Sequence, residues 1–220
     1  MKNPFSRIPN HVGIIPDGNR RWAVAHSMHK KDGYAHGIGP GLRLVAQLLD
    51  MGIEEATFYG FTMDNTRRAP DQVEAFSCAC IESVRVLEEH YGNDVSLMVV
   101  GNSDSRFFPK ALDPYVKPDL DERAQKKLRL NFLVNYDWRW DICQAQGEGH
   151  RPEEAIASRH ISRIDMVLRW GGRCRLSGFL PVQSVYADIF TIQDHWPDFD
   201  EKHLLQALEW YQTCDPTLGG

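Results

Sequence analysis

The chain has no cysteine pattern that organises anything. Its five cysteines (Cys78, Cys80, Cys143, Cys174 and Cys214) are odd in number and scattered, without a C-x-x-C pair. This excludes a disulfide framework or a zinc ribbon and leaves reduced thiols in a cytoplasmic protein as the expectation. Met1–Asn10 carries two cations but no apolar stretch of signal-peptide length. No segment approaches the roughly 20 apolar residues that span a bilayer. Excess positive charge is missing too: 25 Lys and Arg against 30 Asp and Glu give a net charge of -5. Nothing draws the whole chain to nucleic acid or anionic lipid, so an anionic ligand must be held by a local cluster of cations. G-x-x-x-x-G-K-[ST] and G-x-G-x-x-G are both absent, which disfavours a P-loop or Rossmann nucleotide site.

What is present is a core-forming composition, 42% hydrophobic and 10% aromatic over 220 residues, enough for one domain spanning 1–220. Two periodicities alternate. Short apolar runs at 12–16, 56–60, 95–100, 130–134, 164–168 and 189–192 predict strands. Helical stripes predict helices from Ile38 to near Gly52, through Val73–Leu87 with Pro70 in the first turn, over 119–128, from about Asp137, and through Leu204–Tyr211. This order predicts an α/β fold, a central mostly parallel sheet flanked by helices. Gln144–Arg151 is the expected loop. Trp138, Trp140, Trp196 and Trp210 are expected in the core or an interface, and His26 and His29 on a surface face.

Ligands of such sheets bind beyond the carboxyl ends of the strands, and the residues there are distinctive. The first strand is followed by Asp17-Gly18-Asn19-Arg20-Arg21-Trp22, the second by Phe61 to Arg68, and the fifth by Arg169-Trp-Gly-Gly-Arg173-Cys-Arg175-Leu-Ser177. Each alone also fits a solvated turn, and Asp17 and Asn19 equally suit a helix cap. Together they gather Arg20, Arg21, Arg67, Arg68, Arg169, Arg173 and Arg175, a pattern suited to a small polyanion such as diphosphate. Asp17 is badly placed beside an anion unless a cation such as Mg²⁺ bridges the two.

Five stretches in order resemble the cis-prenyltransferase family, of which undecaprenyl diphosphate synthase is the best-known member. They are His11–Ala23, Phe61–Arg68, Asn135–Ile142, Asp165–Phe179 and Trp196–Phe199. The resemblance implies an apolar tunnel for the prenyl chain, a homodimer, and transfer of an allylic diphosphate's prenyl group to isopentenyl diphosphate. It implies that Asp17 binds Mg²⁺ and assists diphosphate departure, with Asp188, where the family has Glu, as second metal ligand. Gly18, Asn19 and Arg21 would cradle the allylic diphosphate beside His36 and Arg68, with Arg20, Trp22 and Thr62 in the same site. Asn65 would lie near the reacting carbons, and Arg169, Arg175 and Ser177 would hold the acceptor diphosphate. A peripheral membrane contact would accompany a long product; nucleic acid is not an expected partner.

The chain departs from the family pattern at Arg20 (usually Gly), Asp32 (usually an Arg gripping the allylic diphosphate), Thr62 (usually Ser), Arg173 and Gly178 (usually Glu and Asn). Arg20 or Arg173 is expected to compensate for Asp32. Regular cis condensation is the first reading. Irregular coupling of allylic diphosphates, or prenyl transfer to another acceptor, is the second, and a non-catalytic partner subunit the third.

Overall fold

Each of the six apolar runs becomes a strand lying parallel to its neighbours. In the computed structural model, which describes residues 4–145 and 151–215, β1 (His11–Ile15), β2 (Glu55–Tyr59), β3 (Val95–Val100), β4 (Leu128–Leu133), β5 (Met166–Arg169) and β6 (Asp188–Thr191) form one sheet in the order β3-β4-β2-β1-β5-β6. All five pairings are parallel. Such strands are covered on both faces, and every residue of β1 is buried. Residues 146–150, most of the expected 144–151 loop, lie outside the described residues.

The helices are α1 (Asn19–Ala25), α2 (Ile38–Met51), α3 (Pro70–Tyr91), α4 (Leu120–Ala124), α5 (Trp138–Cys143), α6 (Pro152–Ala155) and α7 (Lys202–Tyr211). Local chemistry sets their ends. Gly52 stops α2 in the left-handed region, φ 74°. Asp137 caps α5 by accepting from the Arg139 and Trp140 amides. The helix expected over 119–128 is short because its basic end turns away: Lys126 donates to the Gly92 carbonyl and Lys127 pairs with Asp94.

Alternating side chains give the sheet two cores. Val12, Ile14, Phe58 and Leu168 pack on one face with Leu44 and Leu48 of α2, Val84 of α3 and Leu204 of α7. Ile15, Val167, Phe179 and Ile161 pack on the other. Trp196 is buried and Trp138, Trp140 and Trp210 pack against these cores, as expected. The topology matters most for what comes next. Because β1 sits between β2 and β5, the segments leaving their carboxyl ends meet at one place.

Candidate active site

The turn after β1 needs Gly18, at φ 107°, where a Cβ would strike His195. It delivers Asp17 to the end of the sheet between two arginines. Arg169, the last residue of β5, donates from Nη2 to Asp17 Oδ2 at 2.9 Å, and Arg21 Nη2 lies 3.3 Å from Asp17 Oδ1. Arg21 also donates to the Gly171 carbonyl at 2.9 Å. Gly171, at φ 82°, permits that approach, since a Cβ there would meet the Arg21 guanidinium. Partial burial pushes the Asp17 carboxyl up, but the Arg169 hydrogen bond and charge, then Arg21, outweigh it and hold it below the usual carboxylate range. Asp17 is therefore ionised at neutral pH.

Arg169 links this turn to the next. Its Nη1 donates to Ser177 Oγ at 2.9 Å and to the Arg175 carbonyl, while its buried Nε has no partner among the described residues. Ser177 presents its hydroxyl from the left-handed region, φ 55°, a conformation that costs on the order of 1 kcal/mol and persists where surroundings enforce it. Tyr59, closing β2, supplies part of that enforcement: its hydroxyl donates to the Ser177 carbonyl at 2.9 Å. In the loop after β2, Thr62 N donates to Asn65 Oδ1, and the reciprocal capping bond is also made. Arg68 donates to the Tyr34 hydroxyl at 2.8 Å, and Arg20 to Gln72 at 3.3 Å.

These residues line a cavity of about 740 Å³. Seven cations face it (Arg20, Arg21, Lys30, Arg68, Arg169, Arg173 and Arg175) against two carboxylates, Asp17 and Asp64. Among the described residues Lys30, Arg173 and Arg175 have no acidic partner. An excess of unpaired cations around a concavity favours a polyanion. Pro16, Asn19, Tyr34, Gly60 and Phe76 are shared with a second, apolar chamber of about 70 Å³ between α2 and α3. An apolar tunnel was expected, and this chamber is the apolar space that adjoins the cavity.

Of the expected site residues, Asp17, Gly18, Asn19, Arg20, Arg21, Thr62, Asn65, Arg68, Arg169, Arg175 and Ser177 come together on the cavity. Three do not. Trp22 stacks on His26, meets His36 at a tilt and donates to Asp198, so both Trp22 and His36 belong to an aromatic cluster outside the cavity. Asp188 opens β6 opposite Met166, at the amino end of the sheet, where it raises the Cys214 thiol after burial has done so. Asp17 lies beyond the carboxyl end, so within one chain the two do not share a metal. Arg67 pairs with Asp64 at the surface instead of facing the cavity.

Lys30, Tyr34 and Tyr59 were missed. Tyr59 sits at a strand end, the signal that found the arginines. Lys30 and Tyr34 flank Asp32, whose carboxylate turns back to the His29 amide. Lys30 faces the cavity together with Arg20 and Arg173, the two cations expected to compensate for Asp32.

Among the described residues no three potential metal-ligating acids, histidines or cysteines cluster. Mg²⁺ needs less: it keeps several waters and takes one or two carboxylates plus phosphate oxygens. The ionised Asp17, facing a cavity lined by seven cations, fits that requirement.

Residues 15–219 match the family described as "Putative undecaprenyl diphosphate synthase". The chain is 30% identical over 237 residues to an isoprenyl transferase of Streptococcus thermophilus, covering 98% of this chain and 95% of that one. It is 28% identical over 232 residues to the (2E,6E)-farnesyl-diphosphate-specific ditrans,polycis-undecaprenyl-diphosphate synthase of Vibrio parahaemolyticus, covering 96% and 91%. Among solved structures, lavandulyl diphosphate synthase from Lavandula x intermedia, in complex with dimethylallyl diphosphate, superposes with a TM-score of 0.82 at 21% identity over 96% of this chain and 98% of the other. That likeness shows a shared fold.

Proposed function

This chain belongs to the undecaprenyl diphosphate synthase family of prenyltransferases, and we propose that it condenses an allylic diphosphate with isopentenyl diphosphate to give a cis prenyl diphosphate. One observation carries the proposal: a cavity walled by seven cations around an ionised Asp17 opens directly into an apolar chamber.

The allylic diphosphate lies against Gly18, Asn19, Arg20, Arg21, Lys30 and Arg68, its hydrocarbon passing Phe76 into the chamber. Arg169, Arg173, Arg175 and Ser177 hold the acceptor diphosphate, and Asn65 lies between the two. As the allylic C1–O bond breaks, its electron pair leaves with the diphosphate, and the arginines stabilise the growing charge. The acceptor's double bond supplies the electrons of the new carbon–carbon bond to C1. A proton then leaves the adjacent acceptor carbon, and its bonding pair becomes the new double bond. Mg²⁺, held by Asp17 when bound, adds charge neutralisation at the departing diphosphate. Holding both substrates in one cavity supplies the proximity term, roughly 7–11 kcal/mol at its limit. The apolar chamber keeps water from the cationic carbon.

Homodimerisation and a cytoplasmic location belong to the same proposal. Val185 and Tyr186, large and exposed beside edge strand β6, suit a subunit contact. No helix of the described residues is long and apolar enough to cross a membrane.

The test is a product assay with purified protein, Mg²⁺ and allylic diphosphates, with and without isopentenyl diphosphate, read by mass spectrometry and NMR. Products that appear only with isopentenyl diphosphate and carry a new cis double bond support the reading. A product from allylic diphosphate alone would replace it with irregular coupling. Binding without any product would replace it with another acceptor or a non-catalytic role.

A further inference from the structure

We propose that the apolar chamber admits a single isoprene unit, making a five-carbon allylic diphosphate the donor and a ten-carbon diphosphate the product. The inference rests on the prenyltransfer reading above and goes beyond it by fixing the substrate class.

The chamber lies between α2 and α3. Phe76, Cys80, Ser83 and Leu87 line it at successive helical turns of α3, and Phe132 and Trp196, both nearly fully buried, close it below. Along α3 its wall offers no free polar group, and the one unpartnered polar atom among its lining residues is the buried Asn19 Oδ1, which belongs to the residue shared with the cationic cavity. The Ser83 hydroxyl is spent on the Ala79 carbonyl at 2.7 Å. Burial pushes the Cys80 thiol up to about 12, so it stays neutral. Such a chamber suits hydrocarbon and disfavours water.

Aromatic rings that pack on one another line its mouth. The Phe76 ring stacks on Tyr34, centroids 4.4 Å apart and planes within 3°, and meets Phe61 edge-on at 5.4 Å. The Arg68 hydrogen bond pins Tyr34 from the polar side. The plate therefore sits directly under the guanidinium proposed to grip the donor's phosphates.

Size decides the length. An apolar cavity of about 150 Å³ holds one benzene molecule, so the 70 Å³ chamber takes no more than about five carbon atoms. One isoprene unit has five carbons. A ten-carbon product presented again as donor would need about twice that room within close-packed walls. Elongation stops after one step.

The first test uses the wild-type protein with isopentenyl diphosphate and donors of five, ten and fifteen carbons. The expected result is a ten-carbon product alone from the shortest donor, with kcat/KM at least roughly tenfold lower for the longer ones. Fifteen-carbon or longer products from the five-carbon donor, or equal use of all three, would overturn the length assignment while leaving prenyltransfer intact. No product from any donor would overturn the prenyltransfer reading and this inference with it.

Two variants address the walls. Phe76→Ala opens the mouth and is expected to release fifteen-carbon and longer products. Gly41→Ala keeps α2 helical, and its methyl, with nothing nearer than the Trp196 ring at 4.0 Å, takes up chamber space. It is expected to raise KM for the five-carbon donor several-fold without a change in thermal stability. An unchanged product from a folded Phe76→Ala protein, together with an unchanged KM in Gly41→Ala, would overturn the proposal.

Discussion

The two ends of the one sheet both carry charge, and they treat it in opposite ways. At the amino end, Glu55, Asn131, Thr57 and His11 form a closed network. Asn131 donates to Glu55 Oε1 and Thr57 Oγ1 at 2.8 Å each, His11 Nε2 lies 2.8 Å from Thr57 Oγ1, and Arg129 and Arg123 complete the set by bonding Glu55 and Asn131. None of these side chains has a buried polar atom without a partner among the described residues. At the carboxyl end, cations face a cavity unpaired, and the buried Nε of Arg169 and Oδ1 of Asn19 lack partners. A charged network whose members satisfy one another stabilises the fold. One that leaves cations unspent around a cavity awaits a ligand, and that difference locates function.

The comparison breaks most visibly under mutation. Arg169→Ala should lower kcat/KM by roughly 100- to 1000-fold in steady-state assays, because it removes a donor from the acceptor diphosphate and from Asp17. Glu55→Ala should do the reverse. It should cost about 3 kcal/mol of stability in denaturant titrations, leaving buried partners unpaired, while kcat stays near wild type. A catalytic collapse in folded Glu55→Ala would erase the distinction. A finer probe is Tyr59→Phe, which keeps the ring on Phe179 but deletes the bond to Ser177. Losing about 1 kcal/mol should raise KM for the acceptor roughly fivefold, with KM for the donor unchanged. Lys30→Ala should do the converse by a smaller factor, about two- to threefold on the donor alone, fading at high salt because Lys30 is exposed.

The smallest effect is on pH dependence. Burial lowers the pKa of His11 from 6.5, against the opposing pull of Glu55. The unfolded chain then takes up a proton near pH 6.5 that the folded chain refuses. Stability should be level above about pH 6.5 and decline as pH falls below it. Thermal unfolding from pH 8 to 5 would show this, and His11→Gln should flatten the slope over that window.

The strands and the arginines at their ends were legible because local signals marked them. Apolar runs fixed the strands, and a parallel sheet must place the following residues at one edge. Lys30 and Tyr34 were not legible because they lie in irregular backbone around the 3-10 turn Asp32–Gly37, positioned by packing against α1 and α3. Trp22 and His36 stand beside cavity-lining residues in sequence but pack in an aromatic cluster outside the cavity. Asp188 lies apart from Asp17 for a register reason: it begins β6 instead of following it, which sets it at the amino end of the sheet.

The most direct test of the central claim is the number of diphosphates each chain binds. Titration calorimetry with a non-cleavable thiolo analogue of dimethylallyl diphosphate and with isopentenyl diphosphate, in Mg²⁺, counts them. The account expects one of each per chain, with Arg68→Ala weakening the first alone and Arg175→Ala the second alone. A single diphosphate per chain, competed for by both ligands and lost equally in both variants, would contradict it.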